Sequence, residues 1–457
     1  MKGSIRTRLV KGLGANAFGQ VTVVVIQLGG VPILLHYWGA PIYGEWLILF
    51  AIPAYLSMTD LGFSQSAAND MTARLARGER KEALEVFQSL SALVLFSAGV
   101  ALLLVSVVVS VLPFDEWLHF AAMRGVEIRW VLWLLAAEVL LKLAEGISHA
   151  GFRANGDYPL IATLYSITSL VQNAAIWFLA ALGFGPIYAA VAFLIVRLAV
   201  ALLEVFVFRR RHSWMHFGFT HARYVVLRQL LRPAFANLAM PFARALNIQG
   251  MVLVVGAILG PLAVVTFSAL RTLTRVFALA AGGISNAIEA DLAAAYGAND
   301  TALLRSLYLH SLRGGIWLIL GGMLMLLSFG EWILLRWTHG KVVMDAALFH
   351  WLLFTSAASV LSQSGLALLK ASNRHLRAAL LFVATAGSAV ALSWLLLHLT
   401  DRLAFVGPCL FAMDLILAAF ALRTASALCD VGLIKSLIQA LDPLPLIRLV
   451  YAPRHAR

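Results

Sequence analysis

The sequence predicts an all-α integral membrane protein of about twelve transmembrane helices, built as two six-helix lobes related by a pseudo-twofold repeat. Three observations carry this expectation. Hydrophobic residues make up 61% of the chain and charged residues 12%, at a mean hydropathy of +0.87, whereas an ordinary soluble domain is roughly one-quarter charged. So large an apolar surplus does not fit one aqueous core, and lipid must solvate most of it. The apolar residues also fall into runs long enough to cross a hydrocarbon layer about 30 Å thick. Finally, lysine and arginine concentrate in alternate gaps between those runs, as in the cytoplasmic loops of membrane proteins.

The first run, Leu13–His36, exceeds a signal-peptide core and has no small-residue cleavage pattern behind it, which predicts a retained span. Ile42–Ala68 follows, then Ala83–Leu112 after the basic loop carrying Arg74, Arg77, Arg80 and Lys81. A short outer segment, Pro113 to Glu127, leads to Ile128–Phe152, and Arg153 separates that span from Tyr158–Leu182 and Pro186–Phe208. The second half reads Pro233–Leu259, Leu262–Ile288, Leu303–Phe329, Ala346–Leu369, Leu376–Leu399 and Leu403–Leu422. With both termini cytoplasmic, the outer side keeps only Arg124, Arg129, Arg336, Lys341 and Arg402. A formal charge of +13 would point a soluble chain towards nucleic acid. Here the charge is a topology signal, and no nucleic-acid partner is expected.

The chain repeats itself at half its length. Asn16 corresponds to Asn237. Asp70-Met71-Thr72-Ala73, followed by Gly78, corresponds to Asp291-Leu292-Ala293-Ala294, followed by Gly297, and Phe152-Arg153-Ala154-Asn155 to Leu369-Lys370-Ala371-Ser372. The predicted division is an N-terminal lobe at 1–208, a basic cytoplasmic linker at 209–232, a C-terminal lobe at 233–424 and an amphipathic cytoplasmic tail at 425–457. In that tail Lys435, Asp442 and Arg448 alternate with leucines and isoleucines, as an interfacial helix would, and Pro443 and Pro445 break it. Arg209-Arg210-Arg211 reads as a stop-transfer signal, with anionic lipid as the alternative partner.

Ionisable residues inside spans are the informative ones, since each costs about 2.5–3.5 kcal/mol at a helix centre on insertion scales. Glu138, Lys142 and Glu145 share one face of span four and can neutralise one another, as a structural or coupling cluster. Arg197 and Glu204 share a face of span six, with Arg197 a candidate cavity-lining residue. In the second half, Arg244, Arg271 and Arg275 have no acid within reach on their own helices. Ser268, Arg271 and Arg275 belong to a small, polar stripe of span eight. In span seven, Pro241 should kink a face shared by Asn237 and Arg244. Two readings stay open for these cations: an anion site, for which guanidinium forks suit phosphate, or inter-helix pairing with Glu138, Glu145, Glu204 or Asp414. Asn16 and Gln20 of span one serve either as inter-helix glue or as polar lining. Cys409 and Cys429 permit no disulfide framework, and His212, His216 and His221 lie in a basic loop without an acid or cysteine partner, so neither a metal site nor a cofactor is expected. No phosphate-binding loop or hydrolase motif occurs.

The stretch Trp38-Gly39-Ala40-Pro41-Ile42-Tyr43-Gly44-Glu45-Trp46, then Asp60-Leu61-Gly62-Phe63-Ser64-Gln65-Ser66-Ala67-Ala68-Asn69, with Gly78 and Ala83-Leu84 behind it, resembles the polysaccharide transporter family. These are the Wzx-like O-antigen and exopolysaccharide flippases of the multidrug/oligosaccharidyl-lipid/polysaccharide exporter superfamily. The resemblance implies a MATE/MurJ-like, V-shaped carrier of the bacterial inner membrane, with a central cavity open alternately to each side. Its substrate would be an undecaprenyl-diphosphate-linked oligosaccharide, moved by a proton or sodium gradient or by the membrane potential. Membrane lipids and glycan polymerase or assembly proteins would be its partners. Arg244, Arg271 and Arg275 would hold the diphosphate, and Asn16, Gln20 and Asp60 would meet sugar hydroxyls. A drug or cation antiporter of the same superfamily is the alternative and calls for an acidic cavity. A membrane glycan-processing enzyme would need a larger outer loop than any present here.

Overall fold

The computed structural model describes residues 2–60, 62–114 and 120–442, without the side chains of 2–11, 13, 58–60, 232, 233 and 235–237. Every regular element among them is helical. In order these are α1 (Lys2–Ala51), α2 (Phe63–Ala76), α3 (Arg80–Val111), α4 (Gly125–Ala154), α5 (Tyr158–Ala181), α6 (Pro186–Arg211) and α7 (Tyr224–Ala245). They continue as α8 (Met251–Ala287), α9 (Glu289–Gly297), α10 (Thr301–Trp337), α11 (Ala346–Ala371), α12 (Leu376–Thr400), α13 (Val406–Leu428) and α14 (Leu433–Leu441).

Among the described residues, nine segments are long and apolar enough to cross a membrane. Two of them, Gly14–Ser57 and Leu238–Gly297, run to 44 and 60 residues. At about 1.5 Å per residue each is long enough for two crossings. Each is broken where two predicted spans meet, at Gly39 (φ 75°, ψ 169°) and Gly260 (φ 79°, ψ −179°), with Pro41 and Pro261 just beyond. These dihedrals lie outside the range of ordinary L-residues, so glycine marks the turn. Together with the charged α4, the described helices account for the twelve predicted spans.

The breaks also expose the repeat in the backbone itself. Gly39 and Gly260 lie 221 positions apart, as do the left-handed residues Gly78 and Asn299. Gly156 and Asn373, which follow α4 and α11, are 217 apart.

Two predicted spans are less regular than the sequence suggests. The second gives way to a 3-10 segment at Pro53–Asp60, where proline lacks the N–H that would continue the α-helix, and α2 restarts after left-handed Gly62. The seventh begins earlier, at Tyr224, and its irregularity falls in a π turn, Leu246–Gly250, rather than at Pro241.

Contacts divide the chain into two compact units, 1–265 and 266–457. Unit 1 has a core around Phe87, Phe152 and Phe208, where Gly151 leaves room for the Phe208 ring. The segment after α6 is fastened to α3. Gln88 accepts the His221 N–H at 2.7 Å and donates to the His216 carbonyl at 3.2 Å, while Ser89 Oγ accepts the Arg223 N–H at 2.9 Å. His212 Nε2 sits 3.1 Å from Asp157.

The resemblance motif also has a local explanation. The buried Glu45 carboxylate accepts the N–H groups of Ala121 and Ala122 at 2.7 Å each and of Met123 at 2.8 Å, pinning that segment. A Cβ at Gly44 would overlap the Pro261 carbonyl. On α3, Phe96, Leu103, Leu104, Val107 and Val111 are exposed, the lipid-facing stripe expected of a span.

In unit 2, α11 packs along α13, with Gly365 against the Ala421 backbone. Asp300 and Asp345 cap α10 and α11 by accepting the N–H groups of Leu303 and Leu348. Beyond α13, α14 docks on α10, where Arg313 donates to the Gln439 carbonyl at 2.8 Å, and Ile434, Ile438 and Leu441 are left exposed.

Candidate functional site

Each unit buries a charge cluster. In unit 1 the cluster forms where α4, α5 and α6 meet. Glu138, Lys142, Glu145 and His149 recur at intervals of three and four along α4, so they share a face. Arg197 and Glu204 lie two turns apart on α6. The Arg197 guanidinium is 4% exposed and donates three ways: to Glu138 at 2.8 Å, to Glu145 at 3.0 Å and to Gln172 Oε1 of α5 at 2.9 Å. Gln172 Nε2 donates to Glu138 at 3.0 Å and to the Phe193 carbonyl at 2.9 Å, closing the network.

This arrangement corrects two expectations. The cation that neutralises Glu138 and Glu145 is Arg197, whose planar fork bridges carboxylates a helical turn or more apart. The Lys142 ammonium instead lies 5.3 Å from the centre of the Tyr165 ring. Arg197, expected to line a cavity, is buried among Glu138, Glu145 and Gln172 and bonded to all three.

Beyond Arg197 the same face carries a second group. Glu204 is 1% exposed, and both its oxygens lie 3.2 Å from His149 Nε2. The donor atoms of Glu145, His149 and Glu204 all fall within 4.8 Å of one another. Glu145 Oε1 is buried without a hydrogen-bond partner, and the two Glu204 oxygens share the one imidazole nitrogen. The sequence reading missed His149 and Gln172. The spacing of His149, four residues after Glu145 on one helix face, was the available signal.

In unit 2, α8 carries Ser268, Arg271 and Arg275, with Ser268 and Arg275 half-buried and Arg271 buried. The Arg271 guanidinium lies 5.3 Å from the centre of the Phe267 ring. Asp414 of α13, itself buried, acts electrostatically on both Arg275 and Arg271.

The other predicted residues are dispersed. Arg244 is exposed at the end of α7, in unit 1. Asn16 and Gln20 are exposed on α1, and Asn16 Oδ1 accepts the Tyr158 hydroxyl at 3.1 Å. The side chains of Asp60 and Asn237 lie outside the described residues.

No protein-family model matches the chain, and no curated protein does. Its fold is similar to solved structures of membrane transporters. An inward-facing multidrug resistance MATE family transporter of the MOP superfamily matches with TM-score 0.72 and 14% identity, over 89% of this chain and 96% of that one. The MATE multidrug transporter DinF-BH, in complex with R6G, matches with TM-score 0.63 and 13% identity, over 93% and 97%. A MOP superfamily transporter from Pyrococcus furiosus, described as having a binding pocket of reverse polarity, matches with TM-score 0.57 and 15% identity, over 93% and 95%. The chain thus has a fold similar to that of these structures, with every regular element among its described residues helical.

Proposed function

We propose that the chain is a flippase of the bacterial inner membrane. It moves an undecaprenyl-diphosphate-linked oligosaccharide from the cytoplasmic to the periplasmic leaflet by alternating access, driven by a proton or sodium gradient or by the membrane potential. The observation that carries this reading is the placement of Arg271, buried, and Arg275, half-buried, one helical turn apart on α8 within a segment long and apolar enough to cross a membrane. Charged residues inside a span are costly and mark substrate or ion pathways. Guanidinium binds phosphate through paired hydrogen bonds. Arg244 is the third cation assigned to the substrate, and Asn16, Gln20, Asp60, Asn237 and Ser268 are assigned to its sugars.

The test is surface glycan display at matched membrane abundance. Display should fall in the order arginine, lysine, glutamine at both 271 and 275, because lysine keeps the charge and loses the fork. Losing one charge-assisted contact of roughly 1.5–3 kcal/mol weakens binding about ten- to hundredfold. Normal display by both glutamine variants would refute the anion site. A variant that disappears from the membrane and returns on adding Asp414→Asn would make the arginine a structural partner of that acid.

A specific observation favours a second reading, a multidrug or cation antiporter. In unit 1, Glu138, Glu145 and Glu204 outnumber Arg197, an acid excess suited to cations, and two of the similar structures are named multidrug transporters. Accumulation of a cationic dye that rises on deletion, with glycan display unchanged, would establish it in place of the first.

A further inference from the structure

We propose that Glu145, His149 and Glu204 form a binding site for a divalent transition-metal ion of the zinc class, within unit 1 and separate from the substrate cations of unit 2. Three observations converge on it. The first is unused bonding capacity. Glu145 and Glu204 are 97% and 99% buried by their 3% and 1% exposures, yet Glu145 Oε1 has no hydrogen-bond partner and the two Glu204 oxygens share the single His149 Nε2 at 3.2 Å. A buried carboxylate oxygen without a donor loses its hydration for nothing, unless a cation replaces the water. Glu145 keeps Oε2 on Arg197, which leaves Oε1 for the metal.

The second observation is charge. Glu138, Glu145 and Glu204 share one arginine in the network, an excess of acids over ion-paired cations. Lys142 does not close this gap as an ion pair. Its ammonium lies over Tyr165, whose ring in turn meets His149 edge-on at 6.3 Å. A dication balances the deficit in one step.

The third observation is donor chemistry. Sodium, magnesium and calcium take oxygen ligands, whereas an imidazole with two carboxylates suits zinc and its neighbours. Donor atoms within 4.8 Å need about an ångström of side-chain adjustment to close around an ion with bonds near 2.1 Å. The His149 side chain is 28% exposed against 1% for Glu204, so the histidine is the ligand that an arriving ion meets first. The site would tie α4 to α6, a connection that Arg197 already makes one to two turns away.

The full chain, purified in nanodiscs and stripped with a chelator, is titrated with zinc alone. Bound metal is counted by mass spectrometry, and affinity is read against a fluorescent chelator. One zinc per chain is expected, with mixed nitrogen and oxygen coordination in X-ray absorption. His149→Ala is the principal variant, since its half-exposed position lets the fold tolerate it. It should weaken zinc by more than about tenfold, the smallest loss typical even of residues that only support a metal ligand. Glu204→Gln should do the same where it remains monodisperse, and His149→Cys, which restores a zinc ligand, should recover most of the affinity. Absence of stoichiometric zinc on the monodisperse wild type, unchanged binding in His149→Ala, or displacement of zinc by millimolar sodium would each overturn the assignment.

Discussion

Replacing Arg197 by methionine removes the one side chain that contacts Glu138, Glu145 and Gln172 together. The three hydrogen bonds are 2.8–3.0 Å long, and the two carboxylates are 6% and 2% exposed. Breaking a buried ion pair from one side costs about 3–5 kcal/mol, mostly because the partner is left charged and dry. At about 1.4 kcal/mol per power of ten, the ratio of folded to unfolded protein should fall roughly a hundred- to several-thousandfold. The two glutamates should not suffer equally, because Glu138 keeps the Gln172 amide as a donor whereas Glu145 loses the Arg197 guanidinium that donates to it. Adding Glu145→Gln to Arg197→Met should therefore restore more protein than adding Glu138→Gln, and the triple neutral variant should restore most. Membrane abundance and the melting temperature in detergent measure this directly. Wild-type abundance and melting in Arg197→Met alone, or equal rescue by the two glutamines, would refute the network as the organiser of unit 1.

Lys142→Met, by contrast, loses only a cation–π contact of about 0.5–1 kcal/mol, and its membrane abundance should stay near wild type. Gly44→Ala places a methyl into the Pro261 carbonyl and should destabilise by about 1–3 kcal/mol, seen as reduced melting temperature without change in topology. Glu45→Gln turns one acceptor oxygen into a donor facing a backbone N–H, so amide exchange at Ala121, Ala122 or Met123 should accelerate. Reporters fused after Arg77, Arg211 and Arg374 should read cytoplasmic, and after Met123 and His339 periplasmic; any exchange between these sets would overturn the assigned orientation.

Much of the fold was legible because lipid imposes a coarse rule, long apolar runs between basic loops, that needs no knowledge of contacts. Predicted span boundaries fall at Gly39 and Gly260, where glycine and proline leave a local signature. The charge clusters were legible only as membership. That Glu138, Glu145, Arg197, Arg271 and Arg275 needed partners followed from burial cost. Who partnered whom did not, since helical spacing reports neighbours on the same helix, and it favoured Lys142 over the arginine on α6. Asp414 stood among four candidate acids for the same reason. Span two misled because its composition is apolar throughout, although Pro53 and Gly62 interrupt the backbone.

The shift of the repeat from 221 positions to 217 is accompanied by a difference in helix length, 30 residues in α4 against 26 in α11. Four residues turn an α-helix through about 400°, one revolution and some 40° more, while shortening it by about 6 Å. A duplicate trimmed by that amount keeps its inward face inward. Removing two residues would instead swing everything beyond the cut through about 200° and present its polar side to the acyl chains. Divergence between the halves can thus proceed by whole turns with little penalty while their backbones stay in phase.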